Sequence, residues 1–491
     1  MRPLFARLKA FIIPCSLFII LFVVQITVSE RLLAQPIYQQ LYEAHPHYRE
    51  PSITTRRFNH HAIEPLLLQL KNTPPFTVTR LGESVEGRAV YDVSFGHGPT
   101  QVLLWSQMHG NEPTATMAGL DLFNFIGCDT VTELAEVRQK ILDSLTVHFV
   151  PMLNPDGAEV YQRRNALNID LNRDAQELRS PESRILKALR DSLSADFGFN
   201  LHDQSIYYAA GATEKPATIS FLDPPFNQAK DTSAVRNRAT RLIVLLNRAL
   251  QHYVPGQVGR YDDTFEPRAF GDNMQRWGTS TVLIESGGYA NDPEKQTIRQ
   301  LNFMLLATGL HAIATRSYAD ESLAEYQEIP RNDRRLYDLV LRNVQYEAEG
   351  ELRTADLGIL REEVPFNGHR DFFYRSRIQE LGDLSKNYGY RELDATGLVA
   401  VPGRVHRRTR RSERALKRIK TDRLLRRGYT TVRVKKDLVN IDSLRKSVPL
   451  DLVGEDEEPY YGLLLGNRPS FILEKEGKPE YAVVNGFLYE L

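Results

Sequence analysis

Four short segments carry the side chains whose types and spacing could do chemistry. The first is Met108-His109-Gly110-Asn111-Glu112. His109 and Glu112 stand three apart, and at a turn between a strand and a helix both can face one cation. The second runs from Asn154-Pro155-Asp156-Gly157 through Arg163-Arg164-Asn165 to Ile169-Asp170-Leu171-Asn172-Arg173-Asp174. The third, Phe199-Asn200-Leu201-His202-Asp203-Gln204, sets a histidine at the end of an apolar run. The fourth, Val282-Leu283-Ile284-Glu285-Ser286-Gly287-Gly288, does the same with a carboxylate. A His-x-x-Glu pair alone arises often by chance, and an ordinary surface loop is its default reading. The other three segments change that balance.

These residues need elements to hold them. Phe76 to Leu81, Ala89 to Phe95 and Gln101 to Gln107 are runs rich in Val, Thr, Tyr and Leu, separated by turn residues, and read as strands. Pro113 to Ile126 reads as an amphipathic helix with proline near its first turn. Leu145 to Leu153 reads as a strand, Ser180 to Ser194 as a helix, and Asp196 to Leu201 as a strand. A long helix over Ser233 to Tyr253, a strand over Thr279 to Glu285 and a helix over Pro293 to Ile313 complete the series. Strands alternating with helices imply an α/β domain around a largely buried sheet.

At this point the motifs resemble the zinc carboxypeptidases of the carboxypeptidase A type, also called funnelins, in a bacterial-type form. The resemblance covers roughly residues 76–315, with the motifs in the family's order. It implies a central mixed β-sheet flanked by helices. It also implies one zinc per chain, with His109, Glu112 and His202 as ligands and Glu285 as general base and acid. Asn172 and Arg173 would clamp the substrate's terminal carboxylate. Arg163 would stabilise the oxyanion, with Arg164 its rival, because a one-residue slip in alignment exchanges them. The chemistry is coherent: two histidines and a glutamate leave a fourth zinc position open for water, whose pKa the metal lowers toward neutrality. In place of the mobile tyrosine of the digestive members, Tyr261 is the candidate here, at a looser spacing.

The chain has 491 residues, with 62 Lys+Arg against 62 Asp+Glu. That balance argues against a uniformly basic nucleic-acid binder. Two cysteines exclude a disulfide-dense scaffold and a zinc site built from cysteine pairs. Residues 1–35, with Arg2, Arg7 and Lys9 ahead of the apolar run Phe11 to Val28, read as a signal peptide or membrane anchor, and the protein as exported. An N-terminal extension (36–75), the catalytic domain (76–318) and a polar linker (319–335) follow. Residues 336–491 form a smaller mixed or β-rich domain whose last 30 residues read as β-hairpins. Within it, Gly403 to Lys436 holds 15 Lys/Arg against two acids. A solvated helix face is the default for that run. It is also a candidate for binding an anionic envelope polymer.

Three functions follow. The first is a zinc exopeptidase acting on peptides with a free C-terminus. The second is a zinc amidase of cell-wall peptides or acyl-amino acids on the same scaffold. The third is a non-catalytic module that binds peptides or polymers, against which the retained Glu285 argues. His148, His252 and His311 read as structural, and strand alternation turns Asp203 away from His202.

Overall fold

The computed structural model describes residues 35–128, 130, 132–435 and 441–491. Residues 1–34 of the expected signal or anchor segment lie outside the described residues. Among those described, no helix is long and apolar enough to cross a membrane. The strands of the first domain are β1 (Thr77–Glu83), β2 (Ala89–Phe95), β3 (Thr100–Ser106), β4 (Leu145–Val150), β5 (Phe197–Asp203), β6 (Tyr208–Ala210), β7 (Ile219–Leu222), β8 (Val258–Arg260) and β9 (Ser280–Ser286). Its helices are α1 (Ile37–Tyr48), α2 (His60–Leu70), α3 (Thr114–Ile126), α4 (Ala135–Ser144), α5 (Pro155–Glu159), α6 (Pro181–Leu193), α7 (Ala234–Tyr253), α8 (Phe270–Arg276), α9 (Gln296–Thr315) and α10 (Leu323–Glu328).

Among the described residues, eight strands form the central sheet in the order β1-β2-β4-β3-β5-β9-β7-β8. Its middle, β4-β3-β5-β9, is parallel, and antiparallel pairs at β1–β2, β2–β4 and β7–β9 make the whole mixed. Helices cover both faces, so β3 is apolar on both sides. Val102 and Leu104 enter the core beneath α3 and α9. Leu103 and Trp105 enter the opposite one, with Leu186 of α6 and Phe270 of α8.

The N-terminal extension is built into the first core. Leu41, Tyr48, Ile63 and Leu67 are buried there. Asp121 on α3 and Arg299 on α9, both fully buried, form an ion pair (Nη2 to Oδ1, 2.5 Å). His45 of α1 reaches the same carboxylate at 2.8 Å, and Arg299 donates to the backbone carbonyls of Ile53 (2.6 Å) and Glu50 (3.1 Å). Removing Asp121 would leave the Arg299 guanidinium buried with neutral acceptors in place of its carboxylate, which costs several kcal/mol.

The stretch 319–335, expected as a linker, packs instead. Tyr326 and Ile329 are buried in the same core, and β10 (Asn332–Arg334) pairs antiparallel with β6. Its polar composition misleads because only one face of so short a segment is covered.

The C-terminal region is β-rich. Its strands are β11 (Leu336–Ala348), β12 (Glu351–Phe366), β13 (Asp371–Gly382), β14 (Tyr388–Asp394), β15 (Val399–Pro402), β16 (Arg404–Arg410), β17 (Tyr429–Val434), β18 (Asp451–Gly454), β19 (Ser470–Lys475), β20 (Lys478–Val484) and β21 (Phe487–Glu490). The expected terminal hairpins are β19–β20 and β20–β21. The second turns on Asn485-Gly486, both at positive φ (46° and 75°), the chemistry a tight two-residue turn needs. The basic run 404–436 is not one helix face. Its described part is β16, two five-residue helices (Glu413–Lys417 and Thr421–Leu425) and β17. Val432 and Val434 pack inward with Leu416, Leu424 and Leu425, and most of the described charged side chains are exposed.

Candidate active site

The site forms where the parallel strands end, at the edge where open α/β sheets collect their functional loops. β3 runs into the turn 107–112. Gln107 is buried at positive φ (49°), and its side chain donates to the Gly110 carbonyl (2.9 Å) and accepts from the Thr116 hydroxyl (3.0 Å). Gly110 must be glycine, because a Cβ there would lie 2.0 Å from the Gly157 backbone. Asn154 ties the pieces together. It accepts from the Gly157 amide (2.9 Å) and donates to the Met108 and Arg163 carbonyls (3.2 and 3.3 Å).

His109, Glu112 and His202, all buried, converge. Their donor atoms lie within 4.8 Å of one another. His109 Nδ1 is 2.8 Å from Glu112 Oε1, His202 Nδ1 is 2.7 Å from Glu112 Oε2, and the two Nδ1 atoms are 3.2 Å apart. Two donors each about 2.0–2.1 Å from one tetrahedral ion would stand about 3.3 Å apart, so this donor set suits zinc. His109 Nε2 lies 3.2 Å from Asp170 Oδ1, which fixes that nitrogen as the protonated one and leaves Nδ1 for a metal. Burial opposes the charge on Glu112, but the two imidazoles outweigh it and hold the carboxyl below its usual range. Burial pushes His202 down.

Glu285 is the register partner of His202 on the adjacent parallel strand, so it faces the same cavity. Burial first, then the Glu112 and Asp203 carboxylates, push its pKa well above the ordinary value. That cavity, about 450 Å³, is also lined by Arg163, Asn172 and Arg173. Arg163 Nη1 lies 3.0 Å from His109 Nδ1, and its Nε donates to Asp170 Oδ2 at 3.0 Å. Asn172 accepts from the Phe270 amide at 2.9 Å and so pins α8 to the cavity wall. Arg173 Nε is 3.3 Å from Glu266, whose charge is already met by three bonds from Arg268, one from its backbone amide and two from its guanidinium. Tyr261 lines the cavity too, and the Glu285 carboxylate is the first cause that raises its phenol.

Arg164 does not join them. Its guanidinium is exposed and donates to the Asn168 carbonyl (3.1 Å), because successive residues of this irregular segment point to opposite sides. Asp203 also behaves as alternation implies. Its side chain accepts from Thr114 (2.6 Å) and pairs with Lys295 (3.0 Å), and only its amide reaches Glu112 (3.2 Å). Asp170 is the functional residue that sequence reasoning missed. It stands two positions before Asn172, accepts from the Asn172 amide (3.0 Å), and orients both His109 and Arg163.

Residues 63–247 match the sequence profile of the family described as zinc carboxypeptidase. Carboxypeptidase SOL1 of Arabidopsis thaliana is 32% identical over 128 residues, 23% of this chain and 26% of that one. Human carboxypeptidase Z is 30% identical over 156 residues, 26% of this chain and 23% of that one. The matches to these two curated relatives thus span about a quarter of their length. A solved metallo-carboxypeptidase from Burkholderia cenocepacia aligns with 52% of this chain and 69% of its own, at 18% identity and a TM-score of 0.42.

Proposed function

We propose, because residues 63–247 match the zinc carboxypeptidase profile, that this chain is a zinc metallocarboxypeptidase that removes C-terminal residues from peptides. One observation carries this reading: a His2Glu donor set, the buried Glu285 carboxylate and the Arg163 and Arg173 guanidinium groups line one cavity. His109, Glu112 and His202 would hold one zinc, which when bound supplies a Lewis acid and a water acidic near neutrality.

The chain's own groups do the rest. Glu285 takes a proton from the attacking water at its carboxylate oxygen and returns it to the leaving amine. Arg163, steered by Asp170, stands where a guanidinium meets negative charge developing on the carbonyl oxygen. Arg173 offers a planar donor fork for the terminal carboxylate, with Asn172 beside it. The export expectation from residues 1–35 belongs to this proposal and sets the work outside the cytoplasm.

The test is one peptide in free-acid and amidated forms, with and without chelator. Cleavage of the acid, abolished by chelator and much slower on the amide, is expected. Equal cleavage of both would promote the amidase. His202→Ala should lose most of its zinc while the sheet stays folded, and full occupancy in that variant would sink the ligand assignment.

A further inference from the structure

A second cavity, about 700 Å³, adjoins the first at Glu112. It shares Glu112 and Asp203 with the first and extends away from Arg173. The first domain lines it with Asn111, Gln204 and Tyr289, and the C-terminal domain with Tyr374, Arg391 and Phe487. Its volume lies in the range of about 300–1,000 Å³ usual for ligand pockets.

We propose that the C-terminal domain is the far wall of the substrate channel, where it binds the residues of an extended peptide upstream of the scissile bond. This rests on the carboxypeptidase reading. With the terminal carboxylate at Arg173 and the scissile carbonyl at the cluster, the rest of the peptide extends away from Arg173, and the second cavity adjoins the first at Glu112 and Asp203 and continues in that sense. Two buried acceptors at that junction, Asn111 Oδ1 and Asp203 Oδ1, have no partner among the described residues. An unmet buried acceptor is costly, and a backbone N–H of an extended peptide is the donor that would satisfy it.

Farther out the lining changes character. Tyr374 packs edge-on against Phe372 and beside Phe487, which leaves an aromatic wall suited to apolar or aromatic side chains. Arg391 is exposed beside it, with Nη1 donating to the Leu488 carbonyl.

The wall is fixed before any peptide arrives. β10 pairs with β6, Tyr207 donates to Asp338 (2.7 Å), Tyr390 donates to the Ile206 carbonyl (2.5 Å), and Arg57 pairs with Glu363 (2.7 Å). A preformed wall spends little binding energy on its own ordering.

Two measurements on the full zinc-loaded chain test this. The first compares kcat/KM for a blocked dipeptide and a hexapeptide sharing its last two residues, in wild type, Phe487→Ala and Arg391→Ala. Wild type should favour the hexapeptide, and the variants should lose about tenfold of that preference. A preference unchanged in both variants overturns the proposal.

The second needs no variant and so stands even if Phe487→Ala fails to fold. A hexapeptide carrying a photoreactive group three residues before the scissile bond is crosslinked and the product mapped. Capture by segments 372–391 or 486–488 is expected, and capture confined to residues 36–318 overturns the proposal. No turnover of any peptide by wild type would sink the carboxypeptidase reading itself. Turnover without length preference would sink only this inference.

Discussion

The central sheet of the first domain and the large sheet of the second each hold eight strands among the described residues, but they use their strand ends differently. In the first, β3, β5 and β9 run parallel, so their C-terminal ends gather on one edge. There the turn after β3 delivers His109 and Glu112, β5 delivers His202, and β9 delivers Glu285. Glu112 and His202 are 90 positions apart in sequence and 2.7 Å apart in space. In the second sheet, β11, β12 and β13 are long antiparallel neighbours whose ends are spent on turns. That sheet turns a face toward the cleft rather than an edge. Parallel ends concentrate reactive groups from distant sequence on rigid backbone, whereas an antiparallel face offers area for contact.

If that contrast holds, the largest losses come from the parallel strand ends. Glu285→Gln keeps the shape of the side chain but cannot accept a proton. It should retain zinc and still bind peptide, yet turn over about 10²–10⁴-fold more slowly. Near wild-type turnover would mean that another residue activates the water.

The next losses come from the connecting segment 163–173. Arg163→Ala should lower kcat by about 10²–10³-fold, since the charge it meets develops only in the transition state. Arg173→Ala should mainly raise KM, by about 10²-fold, because a terminal carboxylate is charged from the outset. A shift in kcat alone for Arg173, or in KM alone for Arg163, would exchange the two roles.

A smaller effect, on stability, distinguishes the cavity floor from its edge. Burial raises the Asp272 carboxyl to about 7, and Asp272 accepts the Glu266 amide at 3.0 Å. The folded chain therefore holds a proton there that the unfolded chain releases near pH 4. This stabilisation is complete below about pH 4 and is lost as pH rises through about 7. Asp272→Asn keeps an acceptor oxygen and removes the titration. Its urea midpoint should gain on wild type between pH 5 and pH 8, by about 2 kcal/mol in unfolding free energy. An equal gap at both pH values would mean that Asp272 is ionised and paired in the fold.

The alternation of strands and helices from residue 76 to residue 313 was legible because parallel strands buried on both faces read as short apolar runs. The His109-Glu112-His202 cluster and Glu285 stood out in the sequence because they sit at the ends of such runs or in the turn that follows one. What lay between runs was not. The helix Ala135–Ser144 is short and has buried only Val137, Arg138 and Ile141, too few positions for a clear period. Asp170 carries no periodic signal, since its role depends on how an irregular loop folds back on His109. The packing of α1 and of the segment 50–53 after it depends on a charge buried far along the chain, Arg299, which local composition cannot reveal. Tyr326 and Ile329 were hidden by polar neighbours.

The smallest expected effect settles the point that sequence spacing left open. Arg163 and Arg164 are adjacent and chemically identical, so motif spacing cannot separate them, but the structure sends them to opposite sides of the segment. Arg163 reaches His109 and Asp170, while Arg164 donates to the Asn168 carbonyl of its own loop. An exposed guanidinium bonded to one nearby carbonyl contributes little, on the scale of about 0–1 kcal/mol found for exposed charge contacts. Arg164→Ala should therefore change kcat and KM by less than about twofold and leave the unfolding midpoint nearly unmoved. The informative comparison is the pair of single variants on one free-acid peptide. A large kcat loss for Arg164→Ala with a mild one for Arg163→Ala would mean that the segment rotates when substrate binds. The oxyanion role would then pass to Arg164, and Asp170 would lose its part in steering it.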